Sequence, residues 1–133
     1  MRGRVVALLL DAASVVLFAA LGRASHAEGV TAAGVATVAW PFLVALAMGW
    51  AAARARGRWP VRLPGSATVW LVTVVVGLAL RVATGGGFAL SFGLVTLLVL
   101  GLFLVGWRCA REVGAFGLAG LRRWSDAQAS PRR

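Results

Sequence analysis

Four long apolar stretches dominate the pattern of hydrophobic and polar positions along this chain. Each stretch is a continuous apolar run, without the alternation of apolar and polar residues that marks a membrane-spanning β-strand. A helix needs about 20 mostly apolar residues to cross a lipid bilayer. The pattern therefore predicts four membrane-spanning helices, at residues 5–21, 30–53, 67–83 and 88–107.

The segments between the four runs are short, and connections of this length place consecutive helices side by side and antiparallel. We therefore expect an all-α fold, an integral membrane four-helix bundle of up-and-down hairpins within residues 1–111. Residues 112–133 form a basic tail, which we expect to lie partly on the cytoplasmic leaflet or to be disordered.

The composition favours a membrane protein. Hydrophobic residues make up 60% of the chain, charged residues make up 14%, and the mean hydropathy is +0.86. Typical soluble domains contain about 25% charged residues. A soluble domain of 133 residues could not bury so much apolar surface, so the soluble class is disfavoured.

The basic residues predict the orientation. All 14 of them are arginines, and all but Arg23 and Arg81 lie before the first run, between the second and third runs, or after the fourth. Because cytoplasmic segments carry the excess of positive charge, we expect both termini in the cytoplasm and a multi-pass protein of the cell membrane. Its expected partner is a bilayer with an anionic cytoplasmic leaflet. Since topology explains the net charge of +10, we expect no nucleic-acid partner.

The first run also permits a second interpretation. Arg2, Arg4, the apolar run and then Ser25-His26-Ala27 resemble a signal peptide with a small-x-small cleavage site. The carboxylate of Asp11 inside the apolar run argues against export processing. We therefore expect residues 5–21 to stay as the first span.

Asp11 is the first candidate for chemistry, because a carboxylate near the middle of a span costs about 2.5–3.5 kcal/mol on insertion scales. It should face the bundle interior rather than lipid. The structural hypothesis is a hydrogen bond between helices, with Thr73 or Trp70 as partner, and the functional hypothesis is a proton or cation site. The candidate intramembrane polar site therefore comprises Asp11, Ser14, Trp70 and Thr73.

A second candidate is a polar cluster on the predicted external side. It could form a pH-sensitive or anion-accepting mouth, or His26 could simply be a loop residue hydrogen-bonded to Glu28 or to the backbone. One histidine cannot supply a typical zinc or bis-histidine haem site, so we expect no metal and no cofactor. The members of this candidate external cluster are Arg23, Ser25, His26, Glu28 and Arg81.

Trp40 and Pro41 interrupt the second run near its middle. Proline removes one backbone hydrogen bond, so this pair predicts a kink in the second span. The single cysteine, Cys109, excludes an intramolecular disulfide. We find no nucleophile-elbow motif, no paired carboxylates and no metal-ligand spacing in the sequence, and we expect that the protein is not an enzyme.

Two similar patterns suggest an internal repeat. A similar number of residues separates Arg23 from Trp50 and Arg81 from Trp107, and each tryptophan follows a glycine. Two hairpins duplicated in the same orientation, a 2+2 parallel repeat, would produce this pattern. Any two hairpins with arginine at one interface and tryptophan at the other would produce it as well.

Several short motifs between residues 8 and 108 resemble a family of small four-span prokaryotic membrane proteins known only as a domain of unknown function. The resemblance implies a four-helix integral membrane protein and adds no activity. The motifs are the Asp11 segment, Gly22-Arg23-Ala24-Ser25-His26, Trp40-Pro41-Phe42, Gly49-Trp50, the stretch from Trp70 to Arg81, and Gly106-Trp107-Arg108.

The chain is also loosely similar to small multidrug-resistance transporters, which are four-span chains with an acidic residue in the first span. Asp11 would take that place, although the residue essential to those transporters is a glutamate. The sequence thus leaves two functional hypotheses. The first is a small structural or accessory membrane protein that could assemble as a homo-oligomer or with another membrane protein. The alternative is a proton-coupled small-molecule transporter centred on Asp11.

Overall fold

A computed structural model describes residues 2–24 and 29–129 of the chain. Within these residues the fold consists of four α-helices joined by short connections, without strands. All four helices are long and apolar enough to cross a membrane. The all-α four-helix bundle predicted from the sequence is therefore confirmed. The helices are α1 (Arg2–Ala24), α2 (Ala32–Ala55), α3 (Leu63–Ala83) and α4 (Leu90–Ala129).

The helices are arranged as a closed ring. α1 packs against α2 and α4, and α3 packs against α2 and α4, with the most extensive contact between α2 and α3. In the diagonal pairs α1–α3 and α2–α4, no two Cα atoms of the described residues come within 8 Å of each other. Each helix therefore has two neighbours, and its remaining surface faces outward.

The core of the bundle is small and well packed. Phe18 of α1 and Phe42 of α2 meet edge to face with ring centroids 5.5 Å apart, which is a favoured aromatic geometry. Large apolar side chains also cover the outside of the bundle, such as Leu9, which is 62% exposed, and Leu98, which is 69% exposed. An apolar exterior of this extent suits lipid rather than water, as expected for a multi-pass membrane protein.

The close approach of α2 and α3 depends on glycine. A Cβ atom at Gly77 would lie 2.3 Å from the ring of Phe42, and a Cβ atom at Gly49 would lie 3.0 Å from the backbone oxygen of Val69. Small residues at such positions let membrane helices pack backbone to backbone. α2 itself continues through Pro41, which is buried, while Trp40 is 42% exposed on the outer surface. The kink at this pair stays a prediction.

α4 is much longer than the span predicted from hydropathy. The helix does not end near Trp107 but continues to Ala129, and most of its side chains beyond Arg108 are exposed. The helix thus includes much of the predicted basic tail, where no proline interrupts it before Ala129. The partly interfacial or disordered state of residues 112–133 stays a prediction. Residues 130–133 lie outside the described residues.

The two ends of the bundle differ in composition. One end contains the start of α1, the end of α2, the connection 56–62 and the start of α3, and we call it the arginine-rich end. The other end contains the end of α1 and the connection between α3 and α4, and we call it the glycine-rich end. In that connection Gly85 and Gly87 adopt positive φ angles of 84° and 67°, a backbone region that favours glycine.

Candidate functional site: a buried aspartate–arginine centre

Asp11 lies in the interior of the bundle and forms an ion pair with Arg108 of α4. Both side chains are completely buried, and the Nη2 atom of Arg108 lies 2.7 Å from Oδ2 of Asp11. The sequence prediction that the carboxylate faces the bundle interior agrees with this position. Charged side chains within a membrane usually pair with one another in this way.

Four hydrogen bonds surround the carboxylate of Asp11. Oδ1 accepts from Nη1 of Arg108 at 2.8 Å and from the indole nitrogen of Trp107 at 3.1 Å. Oδ2 accepts from Nη2 of Arg108 at 2.7 Å and from the indole nitrogen of Trp50 at 2.9 Å. An ionised carboxylate has about four acceptor positions, so this set of donors saturates it.

Arg108 directs two further donors to backbone oxygens. Its Nε atom donates to the carbonyl oxygen of Pro60 at 2.7 Å, and Nη1 donates to the carbonyl oxygen of Leu104 one turn earlier in α4. Its guanidinium carbon also lies 4.3 Å from the ring centroid of Trp107. The guanidinium therefore connects α1, α4 and the connection 56–62 through one planar group with fixed donor directions.

The antiparallel arrangement explains why residues so distant in sequence meet. Asp11 lies in the first half of α1, Trp50 near the end of α2, and Arg108 in the part of α4 that reaches the arginine-rich end. Because neighbouring helices run in opposite directions, these positions fall at a similar level along the bundle. We call the group Asp11, Trp50, Trp107 and Arg108 the aspartate–arginine centre.

The partners that the sequence analysis predicted for Asp11 were wrong. Trp70 donates its indole hydrogen to the carbonyl oxygen of Leu97 at 3.0 Å, and the hydroxyl of Thr73 donates to Val69 within its own helix at 2.7 Å. Ser14 likewise donates to the carbonyl oxygen of Leu10, at 2.8 Å. Hydroxyl groups in a helix are readily satisfied by the backbone of the preceding turn, which removes their need for a partner on another helix.

The predicted external cluster is described only in part, because Ser25, His26 and Glu28 lie outside the described residues. Arg23 donates from Nε to the carbonyl oxygen of Gly29 at 3.2 Å, and its guanidinium packs over Gly34 of α2. Arg81 stacks on Phe92 of α4, with 4.6 Å between the guanidinium carbon and the ring centroid. The Nε atom of Arg81 is buried without a hydrogen-bond acceptor among the described residues.

Sequence reasoning missed Arg108, Trp50 and Trp107 as partners of Asp11. It assigned Arg108 to the charged flank after the fourth span, whereas α4 continues beyond it and buries it. The position of Asp11 within an apolar run could have predicted Arg108, since a buried carboxylate needs a cation on a neighbouring helix. The paired Gly-Trp motifs pointed to the two indole donors but were interpreted as interface markers.

The centre is an ion pair with hydrogen bonds rather than a metal site. The described part of the chain contains no group of three or more histidine, cysteine, aspartate or glutamate side chains placed to hold a metal ion. Cys109, next to Arg108, is exposed and has a free thiol. What the centre can do chemically is hold three helices and one connection in a fixed relation.

Comparison with known proteins identifies the family of the chain. The profile described as "Protein of unknown function (DUF3054)" matches residues 8–111. The chain belongs to this family. The DUF3054 region contains the whole aspartate–arginine centre, from Asp11 to Arg108. No curated protein and no solved structure matched the chain.

Proposed function

We propose that this protein is a structural or accessory component of the cell membrane, and that the aspartate–arginine centre holds its bundle together as a single rigid unit. The observation that carries the proposal is the saturation of the Asp11 carboxylate by four donors from Trp50, Trp107 and Arg108. A carboxylate held in this way has no acceptor position left for a substrate or an exchangeable ion.

Energetics support a locking role. Breaking a buried ion pair by removing one partner costs about 3–5 kcal/mol, because the other charge stays buried and uncompensated. Arg108 also binds the carbonyl oxygen of Pro60, so loss of the pair would loosen the connection 56–62 as well as the contact between α1 and α4. Loss of either partner alone would therefore destabilise the bundle at several contacts at once.

The alternative, a proton-coupled transporter centred on Asp11, has less support from this geometry. A proton carrier must exchange its proton with water on each side of the membrane in turn. Asp11 is completely buried and is bound through both oxygens by the guanidinium of Arg108. Transport would require the ion pair between Asp11 and Arg108 to separate in each cycle, and separation of a buried pair costs about 3–5 kcal/mol.

The proposal includes an orientation and a mode of assembly. The arginine-rich end faces the cytoplasm, because cytoplasmic segments carry the excess of arginine, and both termini then lie on that side. Assembly with a second copy or with another membrane protein would cover apolar surface on residues 109–129, which we call the extension of α4. Val113 is 71% and Phe116 is 81% exposed there.

A charge-removal experiment separates the two functions. We expect Asp11→Leu alone and Arg108→Met alone to lower the thermal stability of the purified protein strongly. The double variant should recover much of it, since replacing a buried ion pair by apolar residues of similar volume is often neutral. In liposomes the wild type and the double variant should show the same proton flux. Wild-type flux that disappears in a folded double variant would contradict the structural role and establish the transporter.

A labelling experiment tests the orientation. Cys109 is first replaced by serine, and a single cysteine is then introduced at Gly86 or at Gly57, in the connections at opposite ends of the bundle. A membrane-impermeant thiol reagent added to intact cells should label the Gly86→Cys variant and leave the Gly57→Cys variant unlabelled. The opposite pattern would reverse the orientation.

A further inference from the structure

A cavity of about 700 Å³ opens at the arginine-rich end, separate from the aspartate–arginine centre. Its walls come from the start of α1, the connection 56–62, the first turn of α3 and the extension of α4. Pockets of about 300–1,000 Å³ are typical of sites for small ligands. Its polar lining is dominated by four arginines, Arg4, Arg58, Arg62 and Arg111, and no acidic residue lines it among the described residues.

Two of these arginines are fixed by the protein. The guanidinium carbon of Arg4 lies 3.6 Å from the ring centroid of Trp59, and Nη2 of Arg111 donates to the carbonyl oxygen of Val61 at 2.9 Å. The other two, Arg58 and Arg62, are exposed and make no side-chain hydrogen bond or ion pair with the described residues. The cavity thus combines a fixed positive wall with two guanidinium groups whose donors are available.

The start of α3 adds to the positive potential of the cavity. Arg62 precedes the first residue of α3, and the helix begins there without a side-chain cap. The positive end of the helix dipole and the guanidinium of Arg62 repel each other, so an anion placed between them would interact favourably with both. Gly65 lets this first turn close against the connection, since a Cβ atom there would lie 2.2 Å from the backbone oxygen of Trp59.

We propose that this cavity is a binding site for a phosphate group, supplied by the headgroup of an anionic phospholipid. Arginine binds phosphate oxygens through paired hydrogen bonds, and basic pockets between membrane helices suit anionic headgroups. Trp59, at the cavity wall, is 41% exposed, and tryptophan is enriched at the membrane–water interface. Inorganic phosphate is the other source of the same chemistry. The proposal does not depend on the role of Asp11.

The test compares two double variants that lose the same charge. Arg58→Gln with Arg62→Gln removes the two available guanidinium groups from the cavity. Arg122→Gln with Arg123→Gln removes two exposed arginines from α4 outside the cavity and serves as the matched control. The full-length proteins are reconstituted in nanodiscs containing phosphatidylglycerol with phosphatidylcholine, or phosphatidylcholine alone. Lipid retained after extraction in mild detergent is counted by native mass spectrometry.

We expect the wild type and the control to retain phosphatidylglycerol in preference to phosphatidylcholine. The Arg58/Arg62 variant should lose affinity for phosphatidylglycerol by about tenfold or more, since each basic residue near an anionic surface adds to the attraction. Circular dichroism should show the same helix content in all three proteins, because neither Arg58 nor Arg62 packs in the core.

Other outcomes would overturn the proposal in whole or in part. Equal losses in the two double variants would indicate general attraction between charges and would overturn the cavity as a site. The wild type could instead show no lipid preference but bind inorganic phosphate saturably, with only the Arg58/Arg62 variant losing that binding. This result would overturn the lipid as the source of the phosphate group and support the same site for a free anion. Neither lipid preference nor phosphate binding in the wild type would overturn the site altogether.

Discussion

Arg108 and Arg81 are arginines within apolar helices of the same protein, yet they differ in burial and in the partners of their guanidinium groups. Arg108 is completely buried, and its guanidinium is bound by the Asp11 carboxylate and two backbone oxygens. Arg81 is only partly buried, stacks on Phe92 and leaves its Nε atom without an acceptor among the described residues. The contrast shows two ways in which a membrane bundle accommodates a cation.

The position along the helix explains the difference. Arg81 lies in the last turn of α3, near the glycine-rich end, where a long side chain can direct its charge toward the interface. Its charge there also interacts favourably with the negative end of the helix dipole. Arg108 is followed by a further stretch of helix, so its charge must be compensated inside the bundle. The charge of Arg108 in the interior is compensated by a carboxylate, whereas the described neighbours of Arg81 are an aromatic ring and the end of its own helix.

The largest expected effect is at Arg108. Arg108→Gln leaves the Asp11 carboxylate buried without its cation, and we expect the free energy of unfolding to fall by about 3–5 kcal/mol. Thermal unfolding in detergent, followed by circular dichroism, measures the loss. A change of less than about 1 kcal/mol would show that the pair is not the main lock of the bundle.

An intermediate effect is expected at the two indole donors. Trp50→Phe and Trp107→Phe each remove one hydrogen bond to a charged acceptor, worth about 1.5–3 kcal/mol. Trp70→Phe is the matched control, because its indole donates to a neutral carbonyl oxygen, for which about 0.5–1.5 kcal/mol is expected. Equal losses at all three tryptophans would mean that ring packing, rather than the charge of Asp11, determines their contribution.

The smallest effect is expected at Arg81. Arg81→Gln removes a cation over an aromatic ring, an interaction of about 0.5–1 kcal/mol when partly exposed. The same substitution at Arg108 should therefore cost several times more under identical conditions. An equal decrease in the free energy of unfolding for the two substitutions would show that Arg81 has a partner as strong as that of Arg108. The two arginines would then no longer differ in how their charge is accommodated.

Part of the site could be predicted from the sequence. The isolated carboxylate in the first apolar run predicted that Asp11 faces inward, because an unpaired charge in contact with lipid is too costly. The identity of its partners could not be predicted in the same way. Whether two residues on different helices meet depends on how far each helix is displaced along the bundle axis, and the sequence does not show that displacement. Thr73 and Trp70 were reasonable partners by residue type, but the hydroxyl of Thr73 is satisfied by its own helix and the indole of Trp70 by a backbone oxygen of α4.

The sequence by itself determined the fold class, since four apolar runs of sufficient length with short connections leave few arrangements other than a bundle of four membrane helices. Tertiary structure decided the closed ring of helices, and it placed Arg108 and two indole groups around Asp11. The physical reason is the distance along the chain over which each property is determined. Hydropathy and helix length are properties of local sequence, whereas the pairing of a buried charge depends on the packing of several helices along their whole length.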